Sequence, residues 1–411
     1  MQINDQSAGF EKVMRPCPVC GCRKCISLFE QTLVHFEDCP LVGEQRIVSC
    51  SQCDMVYADT ELKQENYNDY YRNFSKYHDE RTGGAGGESG WESLRVEQIA
   101  GGVMRCFPDR HAKLLDAGCG RGDVLALMQS CGYTALSGMD PSATCVDRIS
   151  RELKIEARQG LLSSPSYAPA SFDGIILAGV LEHVLDFFAA LENVAKLIRP
   201  GGKIYVEVPN AMRYCSQTLS PFQDFNLEHI NHFTIHSLRN LFCSYGFDSL
   251  VCDEKPCVSD FPSEVPEVFG VFTLAQDHKN TKRFIRDSAA ISSMKDYVAK
   301  SNLRIRQIDA WLRKELFRYP DILVWGTGQL TLKLLGMTAL RDFKIASFVD
   351  ANPIFHGRKL HGVRVSPPEL IKGPPLPILI ASILHASEIE NRIRDQLHLS
   401  NVVIRVPEHI A

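Results

Sequence analysis

The stretch LLDAGCGRGDVL at 114–125, followed by GMDPS at 138–142, decides the expected fold. A short apolar strand runs into Asp116, and glycines then stand at every second position from 118 to 122. Glycine lacks a Cβ and adopts positive φ readily, so a ligand can lie against bare backbone at such a turn. A helix is expected next, and the following strand ends on the acid Asp140. The stretch therefore predicts a strand, turn and helix of a parallel sheet with a ligand over the strand ends.

The spacing of the glycines in this turn distinguishes between two kinds of nucleotide-binding site. A dinucleotide site would carry G-x-G-x-x-G, whereas this chain has Asp-x-Gly-x-Gly-x-Gly. Asp140 is placed to accept hydrogen bonds from ribose hydroxyls, and Asp116 can meet the amino group of an adenosyl-amino acid. We therefore predict that Asp116, Gly118, Gly120 and Asp140 bind S-adenosylmethionine, with the backbone near Leu161 facing the adenine. The alternative is a glycine-rich turn in another α/β protein.

The composition is that of a globular chain of two or three domains. Its 411 residues are 45% hydrophobic and 23% charged, with a net charge of −4. That balance supplies no basic field for nucleic acid, and the lack of a long apolar run argues against a membrane span. Fifteen cysteines without a secretory signal predict reduced thiols and metal ligands in the cytoplasm. The partner expected is a small molecule; the oligomeric state is not indicated.

Two C-x-x-C pairs, about thirty residues apart, predict a structural zinc site near the N-terminus. Cys17 and Cys20 form the first pair, and Cys50 and Cys53 form the second. Four thiolates close the tetrahedral shell of Zn²⁺ and leave no position for substrate. Cys22-x-x-Cys25 offers a competing pair, but the chosen pairs each precede a short apolar strand. Reduced cysteines without metal are the alternative.

Strands and helices alternate through the middle of the chain, which is typical of a mostly parallel sheet. The strands are expected at 113–118, 135–140, 156–160, 172–179 and 203–209, with a closing hairpin at 248–254 and 269–276. Five parallel strands followed by a reversed hairpin indicate a class I methyltransferase sheet of Rossmann-like type. We expect a zinc ribbon over 1–75, the cofactor domain over 76–278 and a smaller Rossmann-like domain over 279–411.

The glycine motif of the third domain is weak. Gly326 and Gly328 are present, but Thr331 stands where a third glycine would be. Asp350 is expected at the end of the following strand. A packing domain without cofactor and a nucleotide-recognition domain both remain open.

Two polar clusters are candidates for the proton transfer that methylation requires. His183 follows the fourth strand and is expected near the transferred methyl group, unless Glu182 and His183 only cap the next helix. Glu228 and His229 follow the fifth strand, and an imidazole is suited to accept a proton at neutral pH. His229 is the expected base, and Glu228 is a second base or binds substrate hydroxyls. The order E-H-x-x-H differs from the zincin order, so a catalytic metal is not expected here.

The layout and motifs resemble those of the sugar C-methyltransferases over essentially the entire chain. The matching motifs are CPVCG with CSQC, NFSKYHD, LLDAGCGRGD, LEHV, EVPN and LEHINHFT. The resemblance implies an enzyme acting on nucleotide-linked keto-sugars in antibiotic or surface-polysaccharide pathways. It also implies that the third domain helps to hold the nucleotide end of the substrate.

The resemblance assigns roles residue by residue. A tyrosine that packs on the cofactor in the family corresponds to Tyr77, and the histidine after the fourth strand corresponds to His183. The family's Tyr-x-Glu-His stretch, whose histidine is the proposed base, corresponds to Asn226, Glu228 and His229. Asn226 departs from the family because an amide cannot act as a phenolic acid or base.

Together these features predict C-methylation of a nucleotide-linked keto-sugar. His229 would remove the proton beside the carbonyl, and the enolate carbon would attack the methyl group. Two alternatives remain open. One is an O- or N-methyltransferase acting on another small metabolite, and the other is a non-enzymatic zinc-ribbon scaffold that binds a nucleotide.

Overall fold

The computed structural model describes residues 10–30, 32–43, 45–74, 90–217, 220–255, 266–275, 284–371 and 375–408. Within these ranges the chain forms three sheets, which share apolar cores. None of the described helices combines the length and apolarity needed to cross a lipid bilayer.

The N-terminal unit is an antiparallel sheet with a helix behind it. Its elements are β1 (Glu11–Lys12), β2 (Lys24–Glu30), β3 (Gln45–Cys50), β4 (Val56–Thr60) and α1 (Gln64–Asn73). Each cysteine pair sits in a tight turn closed by a backbone hydrogen bond: Gly21 to Cys17 at 2.8 Å and Asp54 to Cys50 at 3.0 Å. Gly21 and Asp54 both take positive φ, and this lets each turn fold back on itself.

The central unit is the α/β sheet that the glycine-rich turn predicts. Its elements, including one strand that pairs elsewhere, are α2 (Gly90–Cys106), β5 (Leu114–Ala117), α3 (Asp123–Ser130), β6 (Leu136–Asp140), α4 (Ala143–Arg148), β7 (Glu156–Gln159), β8 (Phe172–Ala178), α5 (Phe187–Leu197), β9 (Ile198–Pro209), α6 (Tyr214–Gln217), β10 (Asn231–His232), α7 (Ile235–Ser244), β11 (Phe247–Glu254) and β12 (Glu267–Leu274).

The strand order of this sheet is β11-β12-β9-β8-β5-β6-β7. The pairs among β5 to β9 are parallel, and β11 and β12 form an antiparallel hairpin against β9. The expected class I methyltransferase sheet with its reversed hairpin is therefore confirmed. Because β5 and β6 lie side by side, the turn after Asp116 and the end of β6 at Asp140 share one edge.

One strand from the middle of the sequence completes the N-terminal sheet. Strand β10 pairs antiparallel with β4, so that Asn231 lies opposite Tyr57. The Ala58 N–H also donates to the Ile230 carbonyl at 2.9 Å. The segment that carries His229 is thus fixed by the cysteine-bearing sheet.

The C-terminal unit opens with a long helix and continues as a smaller, mostly parallel sheet. Its elements are α8 (Ser288–Leu316), β13 (Ile322–Trp325), α9 (Gln329–Met337), β14 (Ile345–Val349), β15 (Lys359–Leu360), β16 (Val363–Ser366), β17 (Ile378–Ile380), α10 (Ala386–Asn391) and β18 (Val403–Arg405). The order is β15-β16-β14-β13-β17-β18, with only the β15–β16 pair antiparallel among the described strands. The Rossmann-like character of this unit is confirmed.

A shared apolar core ties the first and third units together. Phe36 of the N-terminal unit, Phe225 after β9, Ile308 of α8 and Leu335 of α9 belong to one cluster of buried residues. Phe29 stacks on Phe222 with ring centroids 4.1 Å apart. The loop of residues 220–230 therefore lies between the two units, where both can hold it.

Candidate active site

The glycine-rich turn has the backbone that the sequence predicts. Gly118, Gly120 and Gly122 all take positive φ, at 93°, 50° and 84°. A Cβ at Gly118 would lie 2.5 Å from Val180 Cγ2, so a side chain there would collide with the neighbouring loop. A Cβ at Gly120 would meet nothing within 4 Å. Gly118 thus permits close packing, whereas Gly120 leaves bare backbone beside open space.

Asp140 ties the end of β6 to this turn. Its Oδ2 accepts a hydrogen bond from Gly120 N–H at 2.9 Å, and its Oδ1 accepts one from Ser142 N–H at 2.8 Å. Ser142 in turn caps α4 by accepting from Cys145 N–H. The carboxylate therefore stands at the strand end, 8% exposed, where a ribose would reach it.

Asp116 is the second acid of the turn, and it is 5% exposed. Burial, with the nearby charge of Asp140, raises the pKa of Asp116 to about 7. A nearby positive charge would stabilise the ionised form of this buried carboxyl. The side chain is thus matched to an ammonium group.

A cavity of 870 Å³ opens over the strand ends. Its volume lies within the range of small-molecule sites. It brings together most of the site residues that the sequence predicts: Asp116, Gly118, Gly120, Asp140, Leu161, His183 and His229. Tyr77 falls outside the described residues.

Two histidines face each other on the wall of this cavity. The rings of His183 and His229 meet edge to face with centroids 4.9 Å apart. His183 Nδ1 lies 3.0 Å from the Glu228 carbonyl oxygen, so the ring is held by the backbone of the loop that carries His229. The two sequence clusters, from either side of β9, therefore form one site.

Glu228 has a different environment from the two histidines. Its Oε1 accepts a hydrogen bond from the Tyr70 hydroxyl of α1 at 3.0 Å. Glu228 is not one of the described residues that line the cavity. Its backbone carbonyl accepts a hydrogen bond from His183, but its side chain points to α1. Its carboxylate thus links the loop to the N-terminal unit.

Asn226 gives the loop its shape. Its Oδ1 accepts hydrogen bonds from the backbone N–H of Glu228 at 2.9 Å and from that of His229 at 2.8 Å. An asparagine that accepts from the backbone two and three residues ahead closes a turn. The Asn226 amide therefore fixes the backbone at His229.

Several residues of the cavity wall carried no assigned role in the sequence analysis. Arg95 of α2 and Glu267 of β12 form an ion pair at 3.4 Å, and both line the cavity. Asp224 lines it as well, and burial raises the pKa of Asp224 to about 6. No local pattern marked Arg95 or Glu267, because each reaches the site through tertiary packing, whereas Asp224 belongs to the polar stretch that carries His229.

Four cysteines converge in the N-terminal unit. The sulfurs of Cys17, Cys20, Cys50 and Cys53 all lie within 4.8 Å of one another. Cys17 Sγ is 3.5 Å from Cys53 Sγ, and Cys20 Sγ is 3.4 Å from Cys50 Sγ. Sulfurs around a tetrahedral zinc ion lie about 3.8 Å apart. The four cysteines that converge are the predicted ones, without Cys22 or Cys25 of the competing pair, and the donor set fits zinc.

Comparison with known proteins identifies the class of the central unit, which carries the glycine-rich turn and the cavity. Residues 91–251 match the family model described as a methyltransferase domain. Together with the turn and the sheet, the match shows that the chain contains an S-adenosylmethionine-dependent methyltransferase domain.

The curated relatives match the same part of the chain. A ubiquinone biosynthesis O-methyltransferase of Methylocella silvestris is 30% identical over 122 residues, which is 28% of this chain and 47% of that protein. A probable S-adenosylmethionine-dependent methyltransferase of Mycolicibacterium smegmatis is 26% identical over 29% of this chain and 46% of its own length. The chain thus spans about half the length of these relatives.

A solved structure is also similar to this chain. It is the 1,6-didemethyltoxoflavin-N1-methyltransferase of Burkholderia thailandensis, determined with 1,6-didemethyltoxoflavin and S-adenosylhomocysteine. The two chains share 19% identity and a TM-score of 0.40, over 55% of this chain and 96% of the other.

Proposed function

We propose that this protein is an S-adenosylmethionine-dependent methyltransferase that methylates a carbon atom of a nucleotide-linked keto-sugar. The observation that carries the proposal is one cavity whose wall holds both the Asp116–Asp140 turn and the facing pair His183 and His229. Cofactor groups and a proton acceptor are thereby within reach of one substrate.

The turn fits the cofactor. Gly120 leaves space beside its backbone, Asp140 stands at the strand end for the ribose, and Asp116 suits the ammonium group. When bound, the cofactor supplies a methyl group already activated as a sulfonium substituent. The chain has then only to position the acceptor and remove its proton.

His229 is proposed as the group that takes this proton. For a keto-sugar, it would remove a proton from the carbon beside the carbonyl, and the carbon of the resulting enolate would attack the methyl group and release S-adenosylhomocysteine. Asn226 supports the role because its amide fixes the backbone at His229. His183, held by the Glu228 carbonyl, would orient the substrate or share the proton.

The C-terminal unit is proposed to help grip the nucleotide end. Its support is the contact of α8 and α9 with the loop that carries Asp224, on the wall of the cavity. Phe222 N–H donates to Ser301 Oγ at 3.1 Å, and Asp224 N–H donates to the Tyr297 hydroxyl at 3.0 Å. The four-cysteine cluster is proposed to hold a structural Zn²⁺ ion.

The test incubates the purified chain with S-adenosylmethionine carrying a labelled methyl group and a panel of nucleotide-linked sugars. We expect mass analysis to show the gain of one labelled methyl group on a ring carbon. A methyl group found on oxygen or nitrogen would contradict carbon methylation and support the alternative, an O- or N-methyltransferase. Binding of S-adenosylhomocysteine without transfer to any member of the panel would contradict the proposed substrate class.

A matched pair of variants tests the base. His229→Ala should lower kcat by about 100-fold to 10,000-fold, the usual contribution of a general base, while the affinity for S-adenosylhomocysteine stays unchanged. His385→Ala is the control, since that histidine is exposed on the C-terminal unit. Full turnover by His229→Ala would remove His229 from this role.

A further inference from the structure

Three side chains on the cavity wall form a cluster with the donors of a metal site. Ligand atoms of Glu182, His183 and His229 all lie within 4.8 Å of one another. His183 Nε2 is 3.9 Å from Glu182 Oε1. Ligand atoms around a tetrahedral ion lie about 3.3 Å apart at ordinary zinc–nitrogen distances. Small changes in the side-chain torsion angles would therefore bring the three groups around a cation.

The orientation of His183 is that of a metal ligand. Its Nδ1 lies 3.0 Å from the Glu228 carbonyl oxygen, which can only accept a hydrogen bond. Nδ1 therefore carries the proton, and the lone pair is on Nε2, the atom on the side of Glu182. A histidine that binds a metal usually donates its other ring N–H to a carbonyl or carboxylate in this way.

Glu182 supplies an independent observation. The residue is 3% exposed, and its Oε2 has no hydrogen-bond partner among the described residues. A buried carboxylate oxygen without a partner is costly, and a cation would satisfy it. The backbone at Glu182 is fixed, because its carbonyl accepts a hydrogen bond from Ile230 N–H at 2.8 Å.

We propose that Glu182, His183 and His229 bind a divalent first-row transition cation such as Zn²⁺ or Co²⁺ on the wall of the cofactor cavity. Two imidazoles and one carboxylate suit such an ion, and three protein ligands leave a coordination position toward the cavity that all three residues line. The site is distinct from the four-cysteine cluster, whose donors are all sulfur.

The cation would regulate the proposed reaction. While His229 is a ligand, its lone pair is occupied and cannot take a proton from the substrate. Occupancy of the site should therefore inhibit methyl transfer, and a chelator should reverse the inhibition. This consequence rests on the proposed function, whereas the binding of the cation does not.

The binding test uses the full chain with zinc retained in the cysteine cluster. Titration with Co²⁺, without substrate or cofactor, should give visible cobalt bands without thiolate-to-cobalt charge transfer, at about one equivalent per chain. Glu182→Gln should abolish these bands. Glu192→Gln, an exposed position on α5, should retain them.

The outcomes separate binding from function. The proposed cation site would be contradicted if the only cobalt bands were thiolate charge transfer, or if no cobalt bound beyond the cysteine cluster. Either result would stand even if methyl transfer is found. If Glu182→Gln misfolds, the zinc content of the unmodified chain still tests the site. Zinc analysis should find about two equivalents per chain when both sites are filled. Cobalt bands with turnover unaffected by Co²⁺ would overturn the inhibitory role.

Discussion

The ammonium group of Lys333, on α9 of the C-terminal unit, donates a hydrogen bond to the Phe222 carbonyl, 111 residues away in the sequence. Lys333 is 1% exposed, and burial lowers its pKa to about 7. The charge of Asp224, which lines the cavity, opposes that shift. One buried lysine thus joins the C-terminal unit to the wall of the candidate active site.

Replacing Lys333 by methionine should destabilise the protein, because the Phe222 carbonyl would lose its buried donor and Asp224 would lose the nearby positive charge. Leaving a buried polar group without its partner costs about 1–3 kcal/mol. Denaturant unfolding should show this loss for Lys333→Met and no comparable loss for Lys344→Met, where the side chain is 76% exposed. The pair Lys333→Met with Asp224→Asn should recover part of the stability. A double variant no more stable than Lys333→Met would show that the charge of Asp224 does not contribute to the loss.

Replacing Asp140 by alanine should weaken binding of S-adenosylhomocysteine. The change removes the carboxylate that fixes Gly120 and Ser142 and that would accept from the ribose. Hydrogen bonds to a charged group contribute about 1.5–3 kcal/mol, so the Kd should rise by about 10-fold to 150-fold. Calorimetry measures it, with the exposed Asp147→Ala as control. An unchanged Kd for Asp140→Ala would show that the ribose lies elsewhere.

The parts of the site that the sequence could predict are those encoded locally. The turn at 116–122 follows from consecutive residues, since a strand, spaced glycines and a helix dictate its backbone. The cysteine pairs were equally local: each is a tight turn, and only their mutual approach needed the sheet. The parallel sheet with its closing hairpin could be predicted because alternating strands and helices leave few topologies.

The rest depends on packing between distant segments. Lys333 reaches the loop that carries Asp224 only because α9 packs against the segment after β9, and the position of Lys333 has no local signature. Glu182 was noted only as a neighbour of His183, yet it is buried in the cavity wall. The sequence analysis predicted of Asn226 only that it cannot act as a phenolic acid or base, whereas the structure shows an amide that accepts from two backbone N–H groups.

Cofactor binding should release a proton through Asp116. In the unliganded protein the pKa of Asp116 is about 7, and the ammonium group of a bound adenosyl-amino acid favours the ionised carboxylate. Binding therefore lowers this pKa, so affinity for S-adenosylhomocysteine should rise as pH increases toward about 7 and then level off. Calorimetry in buffers of different ionisation enthalpy measures the number of protons released on binding. Asp116→Asn is the matched variant. Equal proton release by both proteins would rule out Asp116 as the source.

Removing one ligand of the cysteine cluster should impair turnover more than cofactor binding. Cys20→Ser should lower the zinc retained after dialysis against a weak chelator by about one equivalent, because a structural site needs all four thiolates. Strand β4 of this sheet pairs with β10, directly after His229, whereas the Asp116 turn lies in a different sheet.

The loss of zinc should therefore displace the His229 loop and reduce kcat, while the Kd for S-adenosylhomocysteine changes little. Cys243→Ser, at an exposed cysteine on α7, is the control and should retain both zinc and turnover. Zinc content, kcat and Kd are measured on the same preparations. If Cys20→Ser loses zinc and cofactor affinity falls as far as kcat, the ribbon supports the whole fold and has no particular role in placing His229.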